Sequence, residues 1–313
     1  MKRNRLGRSG LQVSKISIGT AELGMDYGIR APGDFGSPPS EDAASMLQSA
    51  VDAGINLFDT APAYGISEKI LGENLSILSS CYIATKVSVS GDASLACSLS
   101  ELEQDVMQSL QKSSCNLRRE ILDIVQIHNA TVRTFDDGLL PGILGRAKDR
   151  LLLRCVGASV YGNDAALAAI DSGIIDVLQI PFSILDQRMA TQVLPAARAA
   201  YVGIVGRSVL LKGALTPKAR HLPEDLIGLR EAADQVRRVL DVSWEELPQV
   251  AIRYCLGTIG LDTILLGVRT QSELDGVLAA AKAGPLPESD MASAQSMGLD
   301  DDRLLNPVYW EIP

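Results

Sequence analysis

The 313-residue chain lacks several features that would define its chemistry directly. It has only two histidines, His128 and His221, so no zinc site of H-E-x-x-H or Cys/His spacing can be assembled. Its five cysteines, Cys81, Cys97, Cys115, Cys155 and Cys255, are odd in number, far apart and never in a C-x-x-C pair. They read as reduced thiols, most of them buried as small hydrophobes. Together with a charged N-terminus that no apolar run follows, they point to the cytoplasm. No uncharged apolar stretch reaches about 18 residues, which excludes a membrane-spanning helix. Basic residues are outnumbered, 29 against 38, giving a net charge of −9. Without a Lys/Arg cluster past the first few residues, the electrostatic footprint of a nucleic-acid binder is missing. No two glycines are separated by a single residue, so G-x-G-x-x-G is absent, and so is G-x-x-x-x-G-K-[ST]. Any phosphate is held in some other way.

What is present is a regular alternation. β-Branched runs at 15–20, 55–59, 82–86, 124–128, 153–159, 177–180, 202–206 and 263–266 read as strands buried on both faces. Helical patterns fall at 40–53, 68–75, 99–114, 137–147, 163–172, 189–199, 226–240, 247–256 and 271–283. Ser40 is the N-cap of the first, and Leu99, Leu102, Val106 and Leu110 form the apolar stripe of the third. Eight β-then-α units with one long insertion before the last predict an α/β fold, a closed (β/α)8 barrel over 1–313 as a single domain. An open doubly wound sheet competes, but the glycine fingerprint and a central composition break are both missing. The loop 26–39 follows the first strand, on the face where such barrels keep their sites. It either covers a ligand or is plain surface.

Polar groups fall at consecutive strand ends. Asp59 ends the second run, Lys86 the third and His128 the fourth, and Tyr64 follows the second by one turn. Singly, each has a plain reading: Asp59 begins a turn, Tyr64 is a half-buried aromatic, and His128 is a satisfied core histidine. A lysine ending an apolar strand needs a partner or a function. In a barrel all four ring one mouth. Asp59 can then compensate Lys86, and the cation beside the phenol lowers the Tyr64 pKa from about 10. Tyr64 becomes a proton donor, and a neutral His128 orients a substrate oxygen. With no nucleophile or metal site in evidence, a cofactor carries the hydride.

These residues give the chain its resemblance to the aldo-keto reductases. Arg5-Leu6-Gly7-Arg8-Ser9-Gly10-Leu11-Gln12-Val13-Ser14 resembles the family's N-terminal hairpin, which plugs the bottom of the barrel. Ile18-Gly19-Thr20 resembles its first strand, and Phe58-Asp59-Thr60-Ala61-Pro62-Ala63-Tyr64-Gly65 with Ser67-Glu68 and Leu71-Gly72 its most recognisable motif. Ala84-Thr85-Lys86 and Ile127-His128 supply the rest. The resemblance implies a catalytic tetrad of Asp59, Tyr64, Lys86 and His128, with Tyr64 as acid/base. It implies a nicotinamide dinucleotide bound without a Rossmann fold, NADP(H) favoured and NAD(H) possible. By position, Gly19 and Thr20 lie near the nicotinamide ribose, Ser159 and Gln179 hold the carboxamide, and Arg207 stacks on the ring. Ser208, Leu210, Lys212 and Gly213 belong to the loop over the pyrophosphate. Gly267, Arg269, Thr270 and Glu273 belong to the segment near the adenosine 2′-phosphate. The chain departs from the family pattern at Val160-Tyr161 after Ser159, at Glu273 and at Val277. Glu273 repels a 2′-phosphate, whereas Arg269 attracts one.

The expected partner is a small carbonyl or alcohol, with a polar aldehyde or sugar-like carbonyl preferred; no nucleic acid or membrane partner is expected. Met25, Asp26, Tyr27, Phe35, Asn129, Val308 and Trp310 are the candidates for its pocket. Two other functions remain: a nicotinamide-binding regulatory subunit with little turnover, and a Schiff-base aldolase-type barrel using Lys86 as nucleophile.

Overall fold

A computed structural model describes residues 1–32, 35–88 and 98–312. Two short strands, β1 (Arg3–Arg5) and β2 (Gln12–Ser14), form an antiparallel hairpin. Eight parallel strands follow: β3 (Ile16–Gly19), β4 (Leu57–Asp59), β5 (Tyr82–Val87), β6 (Leu122–Ala130), β7 (Leu153–Val160), β8 (Val177–Pro181), β9 (Gly203–Arg207) and β10 (Thr263–Gly267). They pair in sequence order, and β10 returns to β3, so the sheet closes into a barrel. Helices cover its outside, and the expected (β/α)8 architecture with its N-terminal hairpin is the observed one.

Local rules account for the elements. The helix Leu99–Leu117 starts at a capping box in which Ser98 Oγ accepts from Glu101 N–H and the Glu101 carboxylate accepts from Ser98 N–H. Leu102, Val106, Leu110 and Leu117 bury its inner stripe, whereas Leu99, which the pattern includes, is exposed. Where one helix is expected at 137–147, two occur, Val132–Asp137 and Leu139–Asp149. Gly138, at φ +64, makes the break. The long insertion carries three 3₁₀ turns, Leu211–Gly213, Pro217–His221 and Glu224–Leu226. No helix among the described residues is long and apolar enough to cross a membrane. Cys81, Cys155 and Cys255 are buried and Cys115 is exposed; Cys97 lies outside the described residues.

Apolar side chains fill the barrel on two levels. A large cluster lies between sheet and helices. A separate one lies inside, at the N-terminal ends of the strands, where Leu6, Leu11 and Val13 meet Leu57, Ala84, Ile124, Cys155, Val177 and Val205. The hairpin is thus the floor of the barrel. Its close approach needs two glycines: a Cβ on Gly7 would stand 2.1 Å from Gly203 N, and one on Gly203 2.8 Å from Leu6. Around the same rim, backbone amides bond to side chains at the start of the next strand. Ser14, Ile83, Val156 and Ile204 N–H donate to Asn56, Asp123, Asp176 and Asp262 at 2.8–3.0 Å.

Candidate active site

The chemistry begins one layer above the floor. Side chains alternate faces along a strand, so the next inward residue lies two positions on. From Leu57, Ala84, Ile124, Cys155, Val177 and Val205 that step leads to Asp59, Lys86, Gln126, Gly157, Gln179 and Arg207. An apolar layer gives way to polar side chains and one glycine.

Asp59 is the hub of this layer. Its Oδ1 accepts from Lys86 Nζ at 2.5 Å; its Oδ2 accepts from Gln126 Nε2 at 2.8 Å and Gln179 Nε2 at 2.9 Å. Lys86 Nζ also donates to the Thr60 carbonyl at 3.0 Å. Asp59 is 3% exposed and Lys86 0%. Such a buried pair is tolerated only with its hydrogen bonds made, and here each ion has partners beyond the other. Burial acts against the Lys86 charge, but Asp59 and the Tyr64 phenol outweigh it and hold the ammonium above its usual pKa.

Lys86 Nζ lies 4.8 Å from the Tyr64 ring centroid. The His128 ring meets that ring edge-on, with centroids 6.0 Å apart. Burial, then the Lys86 charge, drive the His128 pKa down to about 4, with Asp59 opposing, so its imidazole is neutral at ordinary pH. His128 is not the end of its strand. β6 continues to Ala130 through a register shift after Ile127, with Asn129 at φ +54.

Tyr64 sits on a turn clamped from several sides. Ser67 Oγ lies 2.5 Å from Thr20 Oγ1 and 2.9 Å from Thr60 Oγ1, which ties the turn to the exits of β3 and β4. A Cβ on Gly24 would lie 2.1 Å from the Tyr64 carbonyl oxygen, so the backbones touch. The buried Glu68, one turn on, accepts from Thr85 Oγ1 at 2.7 Å and Asn116 Nδ2 at 3.0 Å.

A cavity of about 1610 Å³ opens above these groups. Asp59, Tyr64 and His128 line it; Lys86 lies behind them. Gly19, Thr20, Ser159, Gln179, Arg207, Ser208, Leu210, Lys212, Gly213, Gly267 and Glu273 also line the cavity. Arg269 and Thr270 are not in the lining. Thr270 instead caps the helix Gln271–Ala283, and Arg269 Nη1 donates to the Gly36 carbonyl at 3.2 Å. Of the pocket candidates, Tyr27, Asn129 and Val308 line the cavity; Met25, Asp26, Phe35 and Trp310 do not. Trp310 is buried, and its indole N–H donates to the Arg303 carbonyl at 3.0 Å, anchoring the C-terminal segment.

Two site residues have partners that the sequence did not suggest. Arg207 stacks on Tyr161 at 4.0 Å and donates to the Val160 carbonyl at 3.1 Å, so the unusual Val160-Tyr161 pair is its platform. Lys212 donates to the Ile312 carbonyl at 3.1 Å and lies over the Tyr27 ring at 4.8 Å. Burial lowers its pKa to about 8. At the far end, Glu273 lies 3.7 Å from both Lys218 and Arg269. Burial, then the Glu273 charge, raise the nearby Glu22 to about 7.

The cavity suits a dinucleotide. Drug-sized ligands occupy roughly 300–1,000 Å³, and this space exceeds that, with Arg207, Lys212 and Lys218 in its lining beside the acidic Glu22 and Glu273. No cluster of potential metal ligands occurs among the described residues. Gln126 escaped the sequence reading because a glutamine within an apolar strand carries no mark of its own. Counting back by twos from His128 would have found it.

Fold and site together define a closed (β/α)8 barrel with Asp59, Lys86, Tyr64 and His128 gathered at its C-terminal mouth. The Aldo/keto reductase family model matches residues 15–298, and the chain belongs to this family of oxidoreductases, which use nicotinamide cofactors. It is 25% identical to L-galactose dehydrogenase of Arabidopsis thaliana, over 96% of this chain and 91% of that one. It is 27% identical to the NADH-specific methylglyoxal reductase of Escherichia coli, over 96% and 95%. A Bacillus halodurans aldo-keto reductase in its holo form shares the fold, with a TM-score of 0.77 and 22% identity over 95% of this chain and 96% of that one.

Proposed function

We propose that this protein exchanges a hydride between a nicotinamide dinucleotide and the carbonyl of an aldehyde, ketone or sugar-like substrate, with Tyr64 as general acid and base. One observation carries the reading: a fully buried ammonium, fixed by Asp59, lies 4.8 Å from the ring of a tyrosine that lines the cavity.

A bound nicotinamide dinucleotide supplies or takes up the hydride. Tyr64 gives its phenolic proton to the carbonyl oxygen during reduction and takes it back during oxidation. Lys86 stabilises the phenolate left behind, and Asp59 keeps Lys86 charged and in place. His128, neutral, directs a hydrogen bond at the same oxygen. Gly19, Thr20, Ser159 and Gln179 would hold the nicotinamide end, Arg207 would cover it, and Ser208, Leu210 and Gly213 would follow the pyrophosphate. Lys86 as an aldolase nucleophile is disfavoured, because an amine held protonated and behind the cavity wall cannot attack a substrate.

The family resemblance favours NADP(H). Glu273 argues the other way, toward NAD(H), because its charge offsets part of that on Lys218 and Arg269. A polar aldehyde or sugar-like carbonyl fits a mouth that combines His128, Asn129 and Arg188 with Tyr27 and Val308.

The test is turnover of an aldehyde, ketone and aldose panel with NADH and with NADPH. Tyr64→Phe is expected to lower kcat by at least about 100-fold while cofactor Kd stays near the wild-type value. A Tyr64→Phe protein with wild-type kcat would sink the assignment, and wild-type protein that binds the cofactor without turnover would favour a regulatory subunit.

A further inference from the structure

We propose that Gln126 is a positioning residue of this site: its amide holds the Asp59 carboxylate, from within the same layer of the barrel, in the orientation that serves Lys86. The proposal rests on the reading of Tyr64 and Lys86 as the proton-transfer pair. Gln126 is 1% exposed and lies in register with Lys86 on one neighbouring strand and Gly157 on the other. A carboxylate only accepts hydrogen bonds, so Gln126 must turn its NH2 group to Asp59 Oδ2, 2.8 Å away. That leaves Gln126 Oε1 buried without a partner. Leucine would fill similar space with no orphaned oxygen, so packing does not account for an amide here. Gly157 makes room for it: a Cβ there would stand 2.9 Å from Gln126 Cγ and 3.0 Å from the Val177 carbonyl oxygen.

Asp59 Oδ2 has a second amide donor, Gln179, at 2.9 Å. The two differ in access. Gln179 lines the cavity and Gln126 does not. A ligand amide can therefore draw Gln179 away, whereas no ligand reaches Gln126. Gln126 is the donor that stays. Without it Asp59 Oδ2 is left to Gln179, the donor a ligand can take, and the carboxylate is no longer held toward Lys86, whose charge loses support against burial.

The experiment compares full-length Gln126→Leu and Gln126→Glu with wild type, with Tyr64→Phe alongside. Gln126→Leu is expected to fold and to lose kcat on the order of tenfold, the scale of one hydrogen bond to a charged group. KM and cofactor Kd should not change. A 15N NMR titration of the Lys86 ammonium, assigned with Lys86→Met, should show it deprotonating at lower pH in Gln126→Leu. In Gln126→Glu the introduced carboxyl donates to Asp59 when protonated and repels it when ionised. Its kcat relative to wild type should recover as pH falls and collapse as pH rises. Wild-type kcat and Lys86 titration in Gln126→Leu, with Tyr64→Phe inactive, would reduce Gln126 to a space-filler. Should Gln126→Leu fail to fold, a pH-independent ratio for Gln126→Glu would overturn the proposal equally. Wild-type kcat in Tyr64→Phe is a separate failure that removes the acid; the Lys86 titration still judges Gln126.

Discussion

His128 shows how completely the surroundings set the charge of a side chain. Burial and the Lys86 ammonium keep it neutral down to a pH of about 4, against about 6.5 in an unfolded chain. Between those values the unfolded state takes up a proton that the fold refuses, so stability falls as pH drops through that window. Wild type should lose roughly 2 kcal/mol more than His128→Gln between pH 7 and pH 4, after allowance for solvent screening. Urea titrations of both proteins check this; equal losses would mean that the ring is protonated in the fold. Asp59, Lys86 and His128 are legible in the chain because each interrupts an apolar run near its end. Gln126 is not, since its importance comes from the oxygen it meets, and that oxygen is 67 residues away.

The start of the helix Gln271–Ala283 illustrates one residue serving two ends. Glu273 closes the capping box, its Oε2 accepting from Arg269 N–H at 2.7 Å and Thr270 N–H at 3.3 Å. The same carboxylate faces Lys218 and Arg269. Gln can cap as Glu does but carries no charge. Glu273→Gln should therefore keep the melting temperature while tightening NADPH binding by about fivefold or more relative to NADH, the equivalent of about 1 kcal/mol. Fluorescence titrations with both nucleotides decide it, and an unchanged ratio would place the discrimination elsewhere. Sequence periodicity identified each barrel strand, because alternation and burial are properties of short stretches. It misjudged short helices: Ala21–Gly24, Leu75–Leu78 and Val132–Asp137 are too brief to show a period.

Across the molecule, support and chemistry occupy opposite ends of one barrel. The hairpin fills the N-terminal end, and the cavity opens at the other. Leu6 is completely buried in that floor. Leu6→Ala should cost about 3 kcal/mol in denaturant unfolding yet leave cofactor Kd unchanged, since it vacates the floor without reaching the mouth. A weakened Kd would show that the two ends are coupled.

The order of strands and helices, the closed barrel and the polar residues at its rim follow from the chain read in short windows, for periods of two and 3.6 residues are local properties. The rest of the hub at Asp59, beyond its pairing with Lys86, does not. Gln126 and Gln179 reach it from 67 and 120 residues away. Ring closure alone sets those distances, and with them which donor meets which oxygen. The same holds for Glu273 against Lys218: proximity across a folded surface has no signature in the spacing of residues along a chain.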